Sequence, residues 1–391
     1  MAHHTTSAAP SPPDLRIPPS SSVVDVSIIN TTARITGIPT AMFFGPPIEG
    51  HQELAVPCFA FLVQHRDSGR TLLFDLGIRK DWQNLSPLIG STLKAFGWKI
   101  TVDRGVREIL DDAGGIDTAA IEAVVWSHHH FDHIGDMATF EPATALIVGP
   151  GFKDKLLPGY PGDPDSPFLE TDYSGRDLVE LDFAQGDSGN TTKWKTLTIG
   201  HFAAIDYFGD GSFYLLDAPG HTVGHLCGLA RVTGNGDSAG NSRSSFILMA
   251  GDAYHHIGEI RPSQYLPLPR DISPSPFTPH TPGSTCPGDL FAALLPHGRE
   301  RPFYETTSDP EKSFHYSLDD LTRTIEKLQE ADAHDTIFLA AAHDESLLDV
   351  AAFFPASTAN GFLKQGWVHK ARWIFLRDFA KAVGRESKTR L

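Results

Sequence analysis

Three observations predict an α/β (α+β) fold. Short apolar, β-branched runs recur along the chain, Gly, Pro and Asp turn residues separate them, and amphipathic stretches with helical spacing lie between. In the first half, residues 23–30, 55–65, 71–75, 121–126 and 144–148 read as strands. Residues 103–112, stopped by Gly114-Gly115, and 151–157 read as helices. In the second half, residues 195–199, 213–217, 226–232 and 245–250 read as strands, followed by a helix over 317–331 and a strand over 336–341. A final amphipathic helix is predicted over about 369–383, with Trp373 and Phe375 turned inward.

Residues 1–22 are rich in Ser, Pro and Thr and lack the apolar stretch of a signal peptide, so they read as a disordered tail. Residues 23–391 read as a single domain. It carries two insertions, a Pro/Gly/Asp-dense loop over 158–172 and a Pro-rich segment over about 258–301. The second holds Tyr265, Leu266, Leu268, Phe277 and Phe291, enough apolar surface for an ordered coil. It is either a lid or wall beside a catalytic centre or a structural wrap elsewhere.

The formal net charge of −16, with no Lys/Arg cluster, excludes a nucleic-acid partner, because phosphate neutralisation needs clustered cations. No apolar run has the length of a membrane span. Cys58, Cys227 and Cys286 are widely spaced, so no disulfide framework is expected and a reducing, cytoplasmic setting suits the chain. Cys58 and Cys227 lie in apolar runs and read as inert core residues. The expected partner is a small-molecule substrate, met by a monomer or homodimer.

Directly after the apolar run 121–126 comes Ser127-His128-His129-His130-Phe131-Asp132-His133. Imidazoles and a carboxylate this close repel when protonated and cost desolvation when buried, and a metal relieves both. Three more residues follow strands and sit in tight turns: His221 in Pro219-Gly220-His221-Thr222, Asp252 after Gly251, and His343 after residues 337–342. In an α/β architecture, strand ends are where catalytic groups from distant sequence meet.

Together with Phe74-Asp75-Leu76-Gly77, these motifs stand in an order that resembles the metallo-β-lactamase-fold hydrolases, over about residues 55–343. The lactonase/lactamase branch is the nearest in style, and the Ser/Pro tail and insertions look like its fungal members. The resemblance implies a four-layer αββα sandwich with two divalent metals at one edge, zinc foremost and iron, manganese or nickel as alternatives. It assigns His128, His130 and His221 to the first metal, and Asp132, His133 and His343 to the second. Asp252 bridges the two, and Asp75 orients a ligand histidine. His129 is expected to point away from the metals, and His225 to pack behind them.

Lactone-opening relatives place a tyrosine three positions after the bridging Asp. That position is His255 here, and Tyr254 stands one residue early. Asp132, His255 and Tyr254 are therefore the candidate catalytic residues. The resemblance implies attack of a metal-bridging hydroxide on a small cyclic ester or cyclic amide, a lactone or lactam of secondary-metabolite or xenobiotic type. No Gly-x-Ser-x-Gly nucleophile motif competes with this reading. The alternative is a thioesterase acting on an acyl carrier protein or a glutathione thioester.

Overall fold

The computed structural model describes residues 9–184, 194–234, 243–307 and 313–385. Seven strands form one sheet: β1 (Val24–Pro39), β2 (Glu53–His65), β3 (Thr71–Phe74), β4 (Lys99–Thr101), β5 (Ile121–Val125), β6 (Ala145–Val148) and β7 (Leu178–Glu180). Their order is β4-β1-β2-β3-β5-β6-β7. Six strands form the other: β8 (Lys195–Ile199), β9 (Phe202–Asp206), β10 (Phe213–Asp217), β11 (Leu226–Thr233), β12 (Ser245–Met249) and β13 (Ile337–Ala340), ordered β13-β12-β11-β10-β9-β8.

Strand alternation builds the layers. On β3, Leu72 and Phe74 enter the core between the sheets, while Leu73 faces outward. On β10, Phe213 and Leu215 enter that same core, while Tyr214 and Leu216 face the opposite side. The outer face of the first sheet is covered by α2 (Val106–Ala113) through Val106, Ile109 and Leu110. The outer face of the second is covered by α5 (Leu318–Asp332) through Leu321, Ile325 and Leu328. The result is the four-layer αββα sandwich expected.

Sheet direction then collects one set of strand ends. β3 and β5 are parallel neighbours, and Asp75 N donates to Val125 O at 2.9 Å, so Asp75 and the histidine motif leave the sheet together. β12 and β13 are also parallel, and Ala250 N donates to Ala340 O at 2.9 Å, which brings Asp252 and His343 to a common edge. Two bonds join the sheets there: Leu226 N to Ser127 O at 2.8 Å and Phe59 N to Ala342 O at 2.9 Å.

Two expectations need correction, and one left open is narrowed. From about residue 13 the N-terminal segment is not a disordered tail, and residues 1–8 of that segment lie outside the described residues. Leu15 is buried in the core and accepts from Gly200 N at 2.6 Å, while Pro18 O accepts from Arg231 Nη2 at 2.6 Å. Arg231 is itself buried, and a buried guanidinium requires such acceptors. The C-terminal helix is broken into α6 (Trp367–Ala371) and short 3-10 turns over Ile374–Phe379 and Lys381–Val383. Arg261 Nη1 takes the Arg372 carbonyl at 2.6 Å, and that carbonyl is then diverted from the helical ladder. The Pro-rich segment is an ordered coil, with Ile260, Leu268, Ile272, Phe291 and Leu295 buried beside the second sheet's outer face. It is a structural wrap, and the pocket over the histidine cluster is lined from elsewhere.

Among the sheet strands β4, β7 and β9 were absent from the prediction, as was α1 (Pro87–Phe96). The helix has clear local signals in Ser86, whose side chain accepts from Ile89 N, in Pro87 at its first turn, and in Gly97, left-handed at φ 69°.

Candidate metal centre

The site forms where β5, β10, β12 and β13 end. His128 follows β5, and His130, Asp132 and His133 lie at or within the short helix α3 (Phe131–Ile134). His221 sits in the turn after β10, where a Cβ on Gly220 would collide with the backbone of Leu321 in α5. Gly251, before Asp252, has φ 52° and packs against His225 and Ser127. Only glycine fits either turn, so both ligand-bearing loops depend on it.

The seven predicted residues converge. One ligand atom from each of His128, His130, His221 and Asp252 lies within 4.8 Å of the others, and so do those of His133, Asp252 and His343. The two carboxylate oxygens of Asp252 divide between the groups. Oδ2 faces His128 Nε2 at 3.9 Å and His221 Nε2 at 3.8 Å, and Oδ1 faces His133 Nε2 at 3.1 Å and His343 Nε2 at 3.3 Å. Asp132 Oδ2 completes the second group, 3.3 Å from His343 Nε2.

The outward nitrogens of four of these rings are held. His128 Nδ1 meets Ser127 Oγ at 3.0 Å, His133 Nδ1 meets Asp75 Oδ2 at 2.8 Å, His221 Nδ1 meets His315 Nδ1 at 3.1 Å, and His343 Nδ1 donates to Pro57 O at 2.7 Å. The inward His128 Nε2, His133 Nε2 and Asp252 Oδ1 are buried without hydrogen-bond partners. Buried polar atoms are rarely left so, and nitrogen and oxygen donors converging on two points fit a pair of divalent cations.

Electrostatics separates the two groups. Burial, reinforced by neighbouring imidazoles, holds His128 and His221 well below the usual histidine range, and burial takes His130 down to about 4. A neutral ring keeps one lone pair for a metal, and His221 Nε2 and His130 Nδ1 already face each other at 3.0 Å. Burial also opposes charge on His133 and His343, but Asp252 outweighs it, aided by Asp75 for His133 and Asp132 for His343, and raises both well above the usual range. Protons there occupy positions that a cation would take.

Asp75 has φ 61°, strained for a non-glycine residue, and this conformation accompanies bonds to Ser127 N at 2.7 Å, Ser127 Oγ at 2.8 Å and His133. His225 accepts from Asp252 N through Nε2 at 3.0 Å and anchors that loop from behind. His129 belongs to neither ligand group. His255 stacks on Phe43 with centroids 4.0 Å apart, and its Nε2 lies 3.5 Å from Asp252 Oδ2. Both its ring nitrogens are buried and unpartnered, which leaves them available to a substrate. Tyr254 is placed differently: it lines a second depression with His51, His256 and Asp378, not the apolar pocket over the ligands.

Sequence reasoning missed three contributors. His315 buttresses His221. Glu259 Oε2 accepts from both His255 N at 2.8 Å and His256 N at 3.1 Å, and burial pushes its carboxyl up to about 7. Cys58, read as an inert core residue, has its sulfur within 4.8 Å of a ligand atom on each of Asp132 and His343. None stands in a motif, so only spatial proximity reveals them.

The pocket over the ligands is apolar, walled by Ile38, Phe43, Leu93, Phe96, Trp98 and Phe314. Phe96 stacks on Trp98 at 4.8 Å and meets Phe314 edge-on at 5.7 Å.

Comparison with known proteins agrees with this arrangement. The family model of the metallo-β-lactamase superfamily matches residues 54–233. Gamma-lactamase FDB1 of Fusarium pseudograminearum (strain CS3096) is 43% identical over 373 residues, covering 94% of this chain and 85% of that protein. The chain belongs to the metallo-β-lactamase superfamily. Metallo-hydrolase mfmC of Annulohypoxylon moriforme is 42% identical over 376 residues, 95% of this chain and 92% of that one. Among solved structures, an N-acyl homoserine lactone hydrolase with N-hexanoyl-L-homoserine bound superposes with a TM-score of 0.50 at 14% identity, covering 86% of this chain and 99% of that one. That likeness concerns the superfamily fold alone.

Proposed function

We propose that this protein is a dinuclear metal-dependent hydrolase that opens a small cyclic amide or cyclic ester. One observation carries the reading: the convergent His/Asp cluster opens directly into a pocket walled by apolar and aromatic side chains. Similarity to proteins named gamma-lactamase and metallo-hydrolase supports the same class.

His128, His130 and His221 would hold one metal, Asp132, His133 and His343 the other, and Asp252 both. When bound, such a pair supplies an activated water and polarises a scissile carbonyl. The chain's own groups do the rest. Asp75, Ser127 and the Pro57 carbonyl fix the ring orientations of His133, His128 and His343. The apolar walls orient the ring system and exclude bulk water. Asp132, exposed to the pocket, orients the water and accepts its proton. His255, between the pocket and Asp252, is placed to hand a proton to the departing nitrogen or oxygen. Tyr254 acts only through the loop it shares with His255.

The thioesterase reading gains less support, since among the described residues no Lys or Arg lines this pocket to meet a phosphopantetheine phosphate or glutathione carboxylates. The test is metal content by plasma mass spectrometry, paired with turnover of a lactone, lactam and thioester panel. About two equivalents of metal with lactam or lactone opening is the expected result. Thioester cleavage alone would replace the substrate class, and a metal-free active enzyme would remove the mechanism.

A further inference from the structure

We propose that Cys58 is a thiolate ligand of the second metal, so that this subsite carries sulfur beside nitrogen and oxygen. The inference rests on the dinuclear reading above and adds a ligand to it. Cys58 lies on β2 and is fully buried. Its Sγ, a carboxylate oxygen of Asp132 and a ring nitrogen of His343 all lie within 4.8 Å of one another. His343 also belongs to the group formed with His133 and Asp252, so the two sets share a vertex.

Hydrogen bonding at that vertex points the same way. His343 Nδ1 is committed to the carbonyl of Pro57, the residue next to Cys58, at 2.7 Å. In the neutral ring Nε2 is then a lone pair, facing Asp132 Oδ2 and Asp252 Oδ1, each 3.3 Å away. Nearby, Asp252 Oδ1 and His133 Nε2 are buried with no hydrogen-bond partner. A cation would take the place of the protons that the His133 and His343 rings bring to these carboxylates, and the sulfur stands at the edge of that gathering.

The strand is also clamped in register. Pro57 O holds the His343 ring, and Phe59 N donates to Ala342 O at 2.9 Å, so the residues on both sides of Cys58 are tied to the His343 loop. These bonds hold the Cys58 backbone, and with it the Cβ that carries the sulfur, in a fixed place beside the His343 loop. Ligation breaks the S–H bond, forms a sulfur–metal bond and releases the proton to solvent, with no change of oxidation state. A thiolate within a nitrogen and oxygen set favours zinc over hard ions such as magnesium or manganese.

X-ray absorption at the zinc edge of the full-length, zinc-loaded protein tests this. The expected spectrum contains a sulfur shell at about 2.3 Å beside nitrogen and oxygen at about 2.0–2.1 Å. That shell is lost in Cys58→Ala and retained in Cys286→Ser. Cobalt loading gives an independent readout, a thiolate-to-cobalt charge-transfer band present in the wild type and absent from Cys58→Ser. Two bound metals with a nitrogen and oxygen shell alone would overturn the proposal while leaving the dinuclear centre standing. Failure to bind metal would remove both. If Cys58→Ala does not fold, the wild-type spectrum still decides.

Discussion

Truncating His315 should weaken the first metal site without dismantling the loop that carries it. His221 Nδ1 and His315 Nδ1 are 3.1 Å apart, and burial takes His315 down to about 3, so its ring is a neutral acceptor at working pH. A metal held by His221 Nε2 would leave the ring proton on Nδ1, where His315 would accept its hydrogen bond. The backbone bonds Tyr316 N to His221 O and Ser317 N to Gly220 O, both 2.9 Å, survive the substitution and hold the turn. His315→Ala therefore removes one neutral hydrogen bond and strands a buried N–H, a cost of about 1–3 kcal/mol. Since 1.4 kcal/mol is tenfold, metal affinity should fall roughly 10- to 100-fold, the usual range for losing such a support. Competition against a chromogenic chelator measures this directly. His315→Asn, which keeps an acceptor near the Nδ1 position, should recover most of the loss. Unchanged affinity in the alanine variant would refute the reasoning, as would an asparagine variant no better than alanine.

Other expectations are equally specific. His255→Ala should cut kcat by about 10²–10⁴-fold, the range for a lost proton-transfer group, with both metals retained by elemental analysis; unchanged turnover would confine His255 to packing. Phe96→Ala and Phe314→Ala, at the partly exposed rim of the pocket, should raise KM for an aromatic lactam by about 10-fold with little change in kcat, each losing part of an aromatic contact and its buried area; an equal effect on a small aliphatic lactone would contradict this. Asp172, which burial pushes up to about 6, binds its proton more tightly folded than unfolded. Its stability contribution is complete below about pH 4 and is lost as pH rises through 6, a cost of roughly 3 kcal/mol at neutral pH. Asp172→Asn keeps an acceptor for Leu169 N, so urea melts should show the variant gaining on wild type between pH 4 and 7; a gap that is flat with pH would contradict the assignment.

The sequence by itself determined the strand runs and the candidate ligand residues, and its resemblance to a known family implied the layers. The continuous apolar runs within 71–75 and 213–217, which suit strands buried on both faces, are local chemistry, and so are the turns that need Gly220 and Gly251. The His/Asp motif is equally local, since a ligand set constrains residue type at fixed spacing. The helix Pro87–Phe96 was also legible in its Ser-Pro start and Gly stop, although those signals were passed over. What the tertiary structure alone decided was adjacency. His315 meets His221 across 94 residues, and Cys58 reaches His343 across 285, through loops whose paths no periodicity encodes. The order of the C-terminal turns was likewise hidden, because a single side chain, Arg261, takes the carbonyl that a continuous helix would have used. The N-terminal segment reads as polar and free until Arg231, buried two hundred residues away, needs its carbonyl. Local propensity and spacing are properties of a short stretch of chain, whereas a buried polar atom's partner is settled only when distant strands close around it.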